Sequence, residues 1–205
     1  MPVVFLIRHG ENDYMNNKIL AGRIPGVHLN ETGQRQAEQV AGNLKKLPIK
    51  AIYSSPLERT WETAVPLAEA LNLNIISRQN LLEVDYGEWQ GRSYEWLCEQ
   101  TEWKVLHSTP SLVRFPGGET FFEAQSRICS EIAALCKMHD ENDSIACFTH
   151  ADCIRLALAQ YLEMSIDNYQ RLFIGPASIT TLLIHESNIQ LVSMNHGFTF
   201  PPQMP

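Results

Sequence analysis

Short apolar runs alternate with stretches of helical periodicity along the chain. The run at residues 3–7 is apolar and rich in β-branched side chains, and Arg8-His9-Gly10 ends it, so we expect a buried strand there. Similar runs predict five further strands, at residues 50–54, 74–77, 143–149, 179–184 and 189–194. The last two are expected to form a hairpin that turns at residues 185–188.

Amphipathic periodicity predicts helices between these strands. Thr32 stands at a typical N-cap position, and residues 32–46 repeat apolar side chains on one face. Pro56 suits the first position of a helix that runs to about residue 71, because its fixed φ and missing N–H are tolerated there. Further helices are predicted at residues 93–102, 119–138 and 153–162.

This alternation of strands and helices predicts an α/β fold. We expect a three-layer α/β/α sandwich whose mostly parallel central sheet is covered on both faces. Residues 84–118 interrupt the alternation with Trp89, Trp96, Trp103 and several Gly and Pro, which indicates a cap-like insertion over one end of the sheet. With no internal repeat or long linker, residues 1–205 are expected to form a single domain.

Charge and cysteine content exclude several classes of protein. Sixteen Lys and Arg against 23 Asp and Glu give a net charge of −7, which argues against a nucleic-acid binder but permits a local arginine pocket for a small anion. Five cysteines without a CxxC pair indicate neither a disulfide framework nor a zinc site. Lacking a signal-peptide pattern or an apolar run near ~20 residues, the protein is expected in the cytoplasm and away from membranes.

Polar residues follow several predicted strands where ligands of such sheets bind, beyond the carboxyl ends of the strands. They are Arg8 and His9 after the first strand, Arg59 after the second, Glu83 after the third and His150 after the strand at residues 143–149. Arginines hold phosphoryl groups bidentately, a histidine can attack phosphorus, and a carboxyl group can protonate the leaving oxygen. These residue types together therefore indicate phosphoryl transfer.

Five segments resemble motifs of the histidine phosphatase superfamily, also called phosphoglycerate mutase-like, in the same order along nearly the whole chain. The first is Arg8-His9-Gly10-Glu11, directly after an apolar strand. The others are Ser54-Ser55-Pro56-Leu57-Glu58-Arg59-Thr60, the stretch at residues 82–91 that contains Glu83, Phe115-Pro116-Gly117-Gly118-Glu119 and Thr149-His150-Ala151-Asp152. A single Arg-His-Gly tripeptide is weak evidence, but the ordered set is specific.

The resemblance implies a role for each matching residue. His9 would be the nucleophile that becomes phosphohistidine, and Glu83 would be the proton donor. Arg8, Arg59 and His150 would hold the phosphoryl oxygens. In the family, the carbonyl group after the nucleophilic histidine accepts a hydrogen bond from one ring N–H, which keeps the proton on that nitrogen and leaves the attacking nitrogen unprotonated.

The chain also departs from the family pattern. Asn12 stands where the family usually has Ser or Thr, and it can still donate to a phosphate oxygen. Met15 stands where Asn is common, and we expect Asn16 to take over that role. Arg23 lies in a segment that the family often places near the substrate, so it is a candidate phosphate contact. Arg92 and Arg114 are candidates for a second anionic group of the substrate.

The resemblance implies a metal-independent phosphomonoester hydrolase of the histidine acid-type phosphatase kind, with no cofactor, acting on a small phosphorylated metabolite. The expected state is a monomer or homodimer. One alternative is a cofactor-dependent phosphoglycerate mutase, which the short insertion and the short tail at residues 197–205 disfavour; another is an inactive binding module of the same fold. Asp85 and Glu88 remain alternative acids to Glu83. A metal bound by His9, His150 and Asp152 is disfavoured because the arginines would repel it.

Overall fold

One sheet of six strands organises the fold in the computed structural model, which describes residues 2–184 and 188–199. The strands are β1 (Val3–Arg8), β2 (Ile49–Ser54), β3 (Ile75–Ser77), β4 (Ser144–Thr149), β5 (Ile179–Ile184) and β6 (Ile189–His196). Their order is β3-β2-β4-β1-β5-β6; the first four are parallel, β5 is antiparallel to β1, and β6 is antiparallel to β5. The expected mostly parallel sheet is confirmed, while most of the hairpin turn, residues 185–187, lies outside the described residues.

Helices connect the strands, most of them near the positions that the periodicity predicted. They are α1 (Asp13–Asn16), α2 (Glu31–Leu44), α3 (Glu58–Leu71), α4 (Tyr94–Cys98), α5 (Thr101–Ser108), α6 (Phe121–Lys137) and α7 (Ala151–Tyr161). The prediction of a single helix at residues 93–102 is wrong, because the backbone is extended at Gln100 and separates α4 from α5. Short 3₁₀ turns lie at Gln79–Leu81, Gly87–Trp89, Pro110–Leu112 and Ile166–Arg171. Within the described ranges, no helix is long and apolar enough to cross a membrane.

Two helices begin elsewhere than the sequence suggested. The N-cap of α2 is Asn30, not Thr32, because the Asn30 side chain accepts a hydrogen bond from the Gly33 N–H. Helix α3 begins at Glu58 and not at Pro56. The N-cap residue Leu57 is still extended, and the Thr60 hydroxyl lies within hydrogen-bond distance of the Ser55 and Leu57 carbonyl oxygens.

Helices cover both faces of the sheet. Val40 and Leu44 of α2, with Ala64 and Leu67 of α3, pack on one face around Phe148. On the other face, α6 and α7 contribute buried side chains that pack against β1 and β4; they include Ile128, Ile132, Cys153 and Ile154. The three-layer α/β/α architecture expected from the sequence is therefore present.

Residues 84–118 form a cap with its own apolar cluster. Trp89, Leu97, Leu106 and Phe115 are buried there, and they pack against Phe121 and other residues at the start of α6, in α7 and in the 3₁₀ turn that follows. Trp103 packs at the edge of the cluster, whereas Trp96 is exposed. The cap therefore has a packed apolar interior of its own, which also joins it to α6 and α7.

The loop after β1 lies directly on the first turn of α2. A Cβ atom added to Gly10 would come 2.7 Å from the Gly33 carbonyl oxygen, and one added to Gly33 would come 2.1 Å from the Glu11 carbonyl oxygen. Both contacts involve backbone, which cannot rotate away. Two glycines therefore allow the approach that fixes the position of the loop following His9.

We predict opposite effects for alanine at two glycines of α2. Gly33→Ala should lower the free energy of unfolding by about 1–3 kcal/mol, because the methyl group meets backbone. Gly42→Ala should raise it by up to about 1 kcal/mol, because Gly42 is exposed in the same helix and a Cβ there meets nothing within 4 Å. Urea denaturation measures both, and equal effects would contradict the close packing at Gly33.

Candidate active site

The carboxyl ends of three neighbouring parallel strands bring the candidate residues together. Arg8 ends β1, His9 follows it, and His150 follows β4. Arg59 lies in the first turn of α3, directly after β2. Arg8, His9 and Arg59 line a cavity of about 210 Å³, together with Asn12 and Glu83, and His150 lies beside His9 without lining the cavity. The structure therefore brings these candidate residues together at one edge of the sheet, and their role as a site stays a prediction.

His9 is held in one tautomer. Its Nδ1 lies 2.8 Å from the Gly10 carbonyl oxygen, which can only accept, so Nδ1 carries the proton and Nε2 keeps a lone pair. The Gly10 N–H in turn donates to the Thr63 hydroxyl at 3.0 Å. Burial, followed by the charges of Arg59 and Arg8, holds the pKa of His9 well below its ordinary value. His9 is therefore a neutral imidazole with an unprotonated nitrogen.

Arg8 and Arg59 bring positive charge to the cavity and keep hydrogen-bond donors unused. Arg8 Nη1 donates to the Ile174 carbonyl, and Arg59 Nη2 donates to the Gly22 carbonyl, both at 2.7 Å. Burial lowers the pKa of Arg8 to about 10, so its guanidinium remains charged at neutral pH.

Four buried nitrogen atoms of the cavity walls find no hydrogen-bond partner among residues 2–184 and 188–199. They are Arg8 Nε, Asn12 Nδ2, and the Nε and Nη1 atoms of Arg59. Buried donors are rarely left unpaired, since each costs free energy in the folded protein. They belong to the walls of one cavity and two of the side chains are charged, so this arrangement is chemically suited to an oxyanion.

His150 lies behind the cavity wall and is fully buried. Its ring centroid is 5.3 Å from that of His9. Nδ1 accepts from Arg59 Nη2 at 3.3 Å, so Nε2 carries the proton that bonds to the Ser55 hydroxyl at 2.9 Å. In this arrangement His150 orients Arg59. Its contact with a phosphoryl oxygen stays a prediction, and donation from Nδ1 would require a protonated ring.

Glu83 is a buried carboxyl group that lines the cavity. Its Oε1 accepts from the Val84 N–H at 3.0 Å, and its Oε2 lies 3.9 Å from His150 Nδ1. Burial, followed by the charge of Asp152, raises the pKa of Glu83 to about 7, while the Val84 N–H and the two arginines oppose this shift. Glu83 can therefore hold or release a proton near neutral pH.

Arg23 supports the Glu83 loop and does not line the cavity, which corrects the expectation that it contacts phosphate. Its Nε donates to the Glu83 carbonyl at 2.7 Å, and its two Nη atoms pair with Asp85 and Glu119 at 3.3 and 3.0 Å. Arg127 pairs with the same Glu119 oxygen at 2.7 Å and reaches the Glu83 carbonyl at 3.3 Å. Two guanidinium groups joined by Glu119 thus hold the backbone of residue 83.

Other candidates from the sequence lie outside the cavity. The carboxylate of Asp85 accepts from the Gly87 N–H and pairs with Arg23, and Glu88 is exposed, so neither has the position of Glu83. Arg92 stacks on Trp96, and Arg114 pairs with Glu123 at the surface.

The substitution at position 15 is not compensated by its neighbour. Met15 itself lines the cavity, with its sulfur 3.6 Å from Arg8 Nη2. Asn16 donates to Glu11 at 3.1 Å instead, so the expectation that it replaces the family's Asn is wrong.

No catalytic or supporting role was predicted from the sequence for Ser55, Asp152 or Arg155, which lie near the site. Ser55 supports His150, as described above. Asp152 lines the cavity, where it accepts from the Tyr86 hydroxyl at 2.5 Å and pairs with Arg155 at 2.8 Å. The i,i+3 spacing of Asp152 and Arg155 on α7 is a signal that could have revealed this pair, whereas no local pattern marks Ser55.

The sequence disfavoured a metal ion bound by His9, His150 and Asp152. Among the described residues, no group of three or more His, Cys, Asp or Glu side chains is arranged to hold a metal ion, and His9, His150 and Asp152 form no such group. The donors around the cavity are instead cationic nitrogen atoms, which favour an anion.

Comparisons with known proteins identify the family of this chain. The chain is 34% identical over 184 residues to a 2,3-bisphosphoglycerate-dependent phosphoglycerate mutase of Thermoplasma acidophilum, covering 89% of this chain and 87% of the relative. It is 28% identical over 200 residues to phosphoserine phosphatase 1 of Hydrogenobacter thermophilus, covering 95% and 92%. A phosphoserine phosphatase of Entamoeba histolytica, solved with 3-phosphoglyceric acid, superposes with a TM-score of 0.86 at 27% identity, covering 95% and 97%. The model of the histidine phosphatase superfamily (branch 1) matches residues 4–197, and the chain belongs to that superfamily.

Proposed function

We propose that this protein hydrolyses phosphate monoesters of small metabolites through a phosphohistidine intermediate at His9. Membership of the superfamily supports an enzyme of the phosphatase or mutase type. One observation carries the finer proposal: the unprotonated Nε2 of His9 shares a cavity with unpartnered N–H groups of Arg8, Arg59 and Asn12. A nucleophile and an oxyanion site therefore occupy the same small volume.

In the first step, His9 Nε2 attacks phosphorus and the bond to the ester oxygen breaks. Arg8 and Arg59 hold the equatorial oxygens, because their charges and fixed forks match a phosphoryl group that spreads negative charge. Glu83 gives its proton to the departing oxygen, so that the product is an alcohol and not an alkoxide. An incoming phosphate dianion also favours the protonated forms of Glu83 and His150.

In the second step, water attacks the phosphohistidine. Glu83, now ionised, takes a proton from that water as the P–N bond breaks, which returns His9 to its neutral form and releases inorganic phosphate. The guanidinium groups supply positive charge in both steps, so the proposed reaction uses no metal ion or organic cofactor. A panel of phosphate esters assayed with and without a chelator tests this part of the proposal.

A phosphoglycerate mutase is the second candidate, because the relative from Thermoplasma acidophilum carries that name. A mutase passes the phosphoryl group from the enzyme back to a bound substrate, whereas a phosphatase passes it to water. The two differ in the fate of the phosphoenzyme in the presence of 3-phosphoglycerate. Release of inorganic phosphate supports the phosphatase, and formation of bisphosphoglycerate supports the mutase.

We also propose that the protein acts on soluble substrates in the cytoplasm, without nucleic-acid or membrane partners, as a monomer or homodimer. All five cysteines lie within the described residues and are free thiols, which suits a reducing compartment. Burial raises the pKa of Cys129 and Cys136 to about 11, so these thiols stay protonated and unreactive at neutral pH.

We predict that enzyme quenched early in turnover carries an acid-labile, base-stable phosphoryl group, and that His9→Ala abolishes both this label and turnover. His28→Ala is the matched control, because His28 lies at the surface beside Glu62 and should leave both unchanged. Mass spectrometry after mild alkaline quenching locates the label. Full turnover by the His9 variant would refute covalent catalysis, and an inactive binding module would acquire no label at all.

Glu83→Gln should slow an alkyl phosphate by roughly 10²–10⁴-fold, the usual range for general acid catalysis, but should slow p-nitrophenyl phosphate far less. The nitrophenolate leaves without a proton, so it does not need the acid. With the alkyl ester, the wild-type rate should fall as the pH rises above about 7, because Glu83 must be protonated to act and its pKa is raised to that value.

Glu88→Gln serves as the control, since Glu88 is exposed and outside the cavity. If Glu83→Gln slows both esters by the same factor, Glu83 holds substrate or structure and another group supplies the proton.

A further inference from the structure

A second cavity of about 280 Å³ lies under the cap, beside the cavity that contains His9. Aromatic and aliphatic side chains form most of its wall, among them Trp89, Trp103, Leu106, Phe115 and Phe121. Four of these five residues belong to the cap at residues 84–118, and Phe121 is the first residue of α6. An apolar cavity of about 150 Å³ already accepts a benzene ring, so this volume accommodates one ring with a short linker.

The two cavities share walls. Leu20, Tyr86, Tyr94, Asp152 and Arg155 line both of them, and Glu83 lines the first. An ester whose phosphoryl group lies between His9 and the arginines has its alcohol on the side away from the attacking nitrogen. The second cavity adjoins the first at these shared walls, and Glu83, the proposed proton donor to the leaving oxygen, lines the first, so the alcohol part of a bound ester can extend into the second cavity.

The charges at the shared wall are already paired. Arg155 Nη1 contacts Asp152 Oδ1 at 2.8 Å, and Arg155 Nε donates to the Leu172 carbonyl at 2.8 Å. The Tyr86 hydroxyl donates to the other oxygen of Asp152. A substrate carboxylate entering here would face Asp152 and would have to compete for Arg155, whereas a neutral apolar group disturbs none of these bonds.

We propose that the second cavity binds the alcohol half of the substrate, and that this half is an uncharged group carrying an aromatic ring or a branched apolar chain within a few bonds of the phosphate. This inference rests on the proposed phosphatase function. It assigns the substrate class to phosphate esters of apolar alcohols, as opposed to phosphorylated hydroxy acids.

Three phosphate esters with the same two-carbon linker test the assignment. They are 2-phenylethyl phosphate, which adds a ring; ethyl phosphate, which adds nothing; and phosphoglycolate, which adds a carboxylate. Ethanol and 2-phenylethanol leave with similar difficulty, so a difference between their esters reports binding of the ring. We expect kcat/KM for 2-phenylethyl phosphate to exceed that for each of the others at least tenfold, since burial of a ring removes a large apolar surface from water.

Two tryptophans of the cap provide matched variants. Trp103→Leu removes a ring from the cavity wall and should reduce the preference for the phenyl ester over the ethyl ester severalfold. Trp96→Leu changes an exposed ring that does not line the cavity, and it should leave the preference as it is in the wild type. A preference that is equal in the two variants would overturn the assignment.

Binding of 2-phenylethylphosphonate and ethylphosphonate to the wild-type protein, measured by calorimetry, gives a readout that needs neither turnover nor a variant. Tighter binding of the phenyl compound without hydrolysis of any ester would support the cavity while refuting the phosphatase function. Hydrolysis with no preference for the ring, or with a preference for phosphoglycolate, would refute the cavity's role while leaving the phosphatase function intact.

Discussion

Among the described residues, the buried Arg59 and the partly buried Arg8 have no carboxylate partner, and this determines most properties of the site. Within the described part of the chain, neither Arg8 nor Arg59 forms an ion pair; backbone carbonyls of Ile174 and Gly22 take only part of their hydrogen bonds. Removing such charges from water costs several kcal/mol unless an opposite charge compensates. In the proposed function, an oxyanion bound in the cavity would offset this cost. The same positive field contributes to the lowered pKa values of His9 and His150.

In the proposed function, the two cavities divide substrate recognition between charge and apolar contact. The sheet edge supplies Arg8, His9 and Arg59, which suit any phosphoryl group. The cap supplies aromatic walls, which suit one class of alcohol. Glu83 lies where the two regions meet, and its raised pKa of about 7 arises from burial and from Asp152 against the opposing arginines. Under this proposal, phosphoryl transfer and substrate selectivity depend on different segments of the chain.

The position of the site followed from the sequence, but the direction of some side chains did not. Arg8, Arg59 and His150 come together because parallel strands end at one edge, which strand periodicity reveals. Arg23 was misassigned because its orientation depends on Glu119, far away in the chain, whose charge attracts it to the Glu83 loop. The N-cap of α2 was predicted at Thr32, two residues after the true N-cap Asn30, because Asn and Thr are comparable N-cap residues. Local patterns carry no information on such long-range partners.

The neutral state of His9 is the central claim, and nitrogen NMR of protein labelled at histidine tests it most directly. Long-range ¹H–¹⁵N spectra recorded from pH 5 to pH 8, assigned with His9→Ala, report the tautomer and charge of each ring. The account predicts that His9 stays neutral across this range, with Nδ1 protonated and Nε2 bare, while His28, whose pKa its bond to Glu62 raises, titrates as an internal reference. Protonation of His9 near pH 6.5, or a proton on Nε2 of the neutral ring, would contradict it.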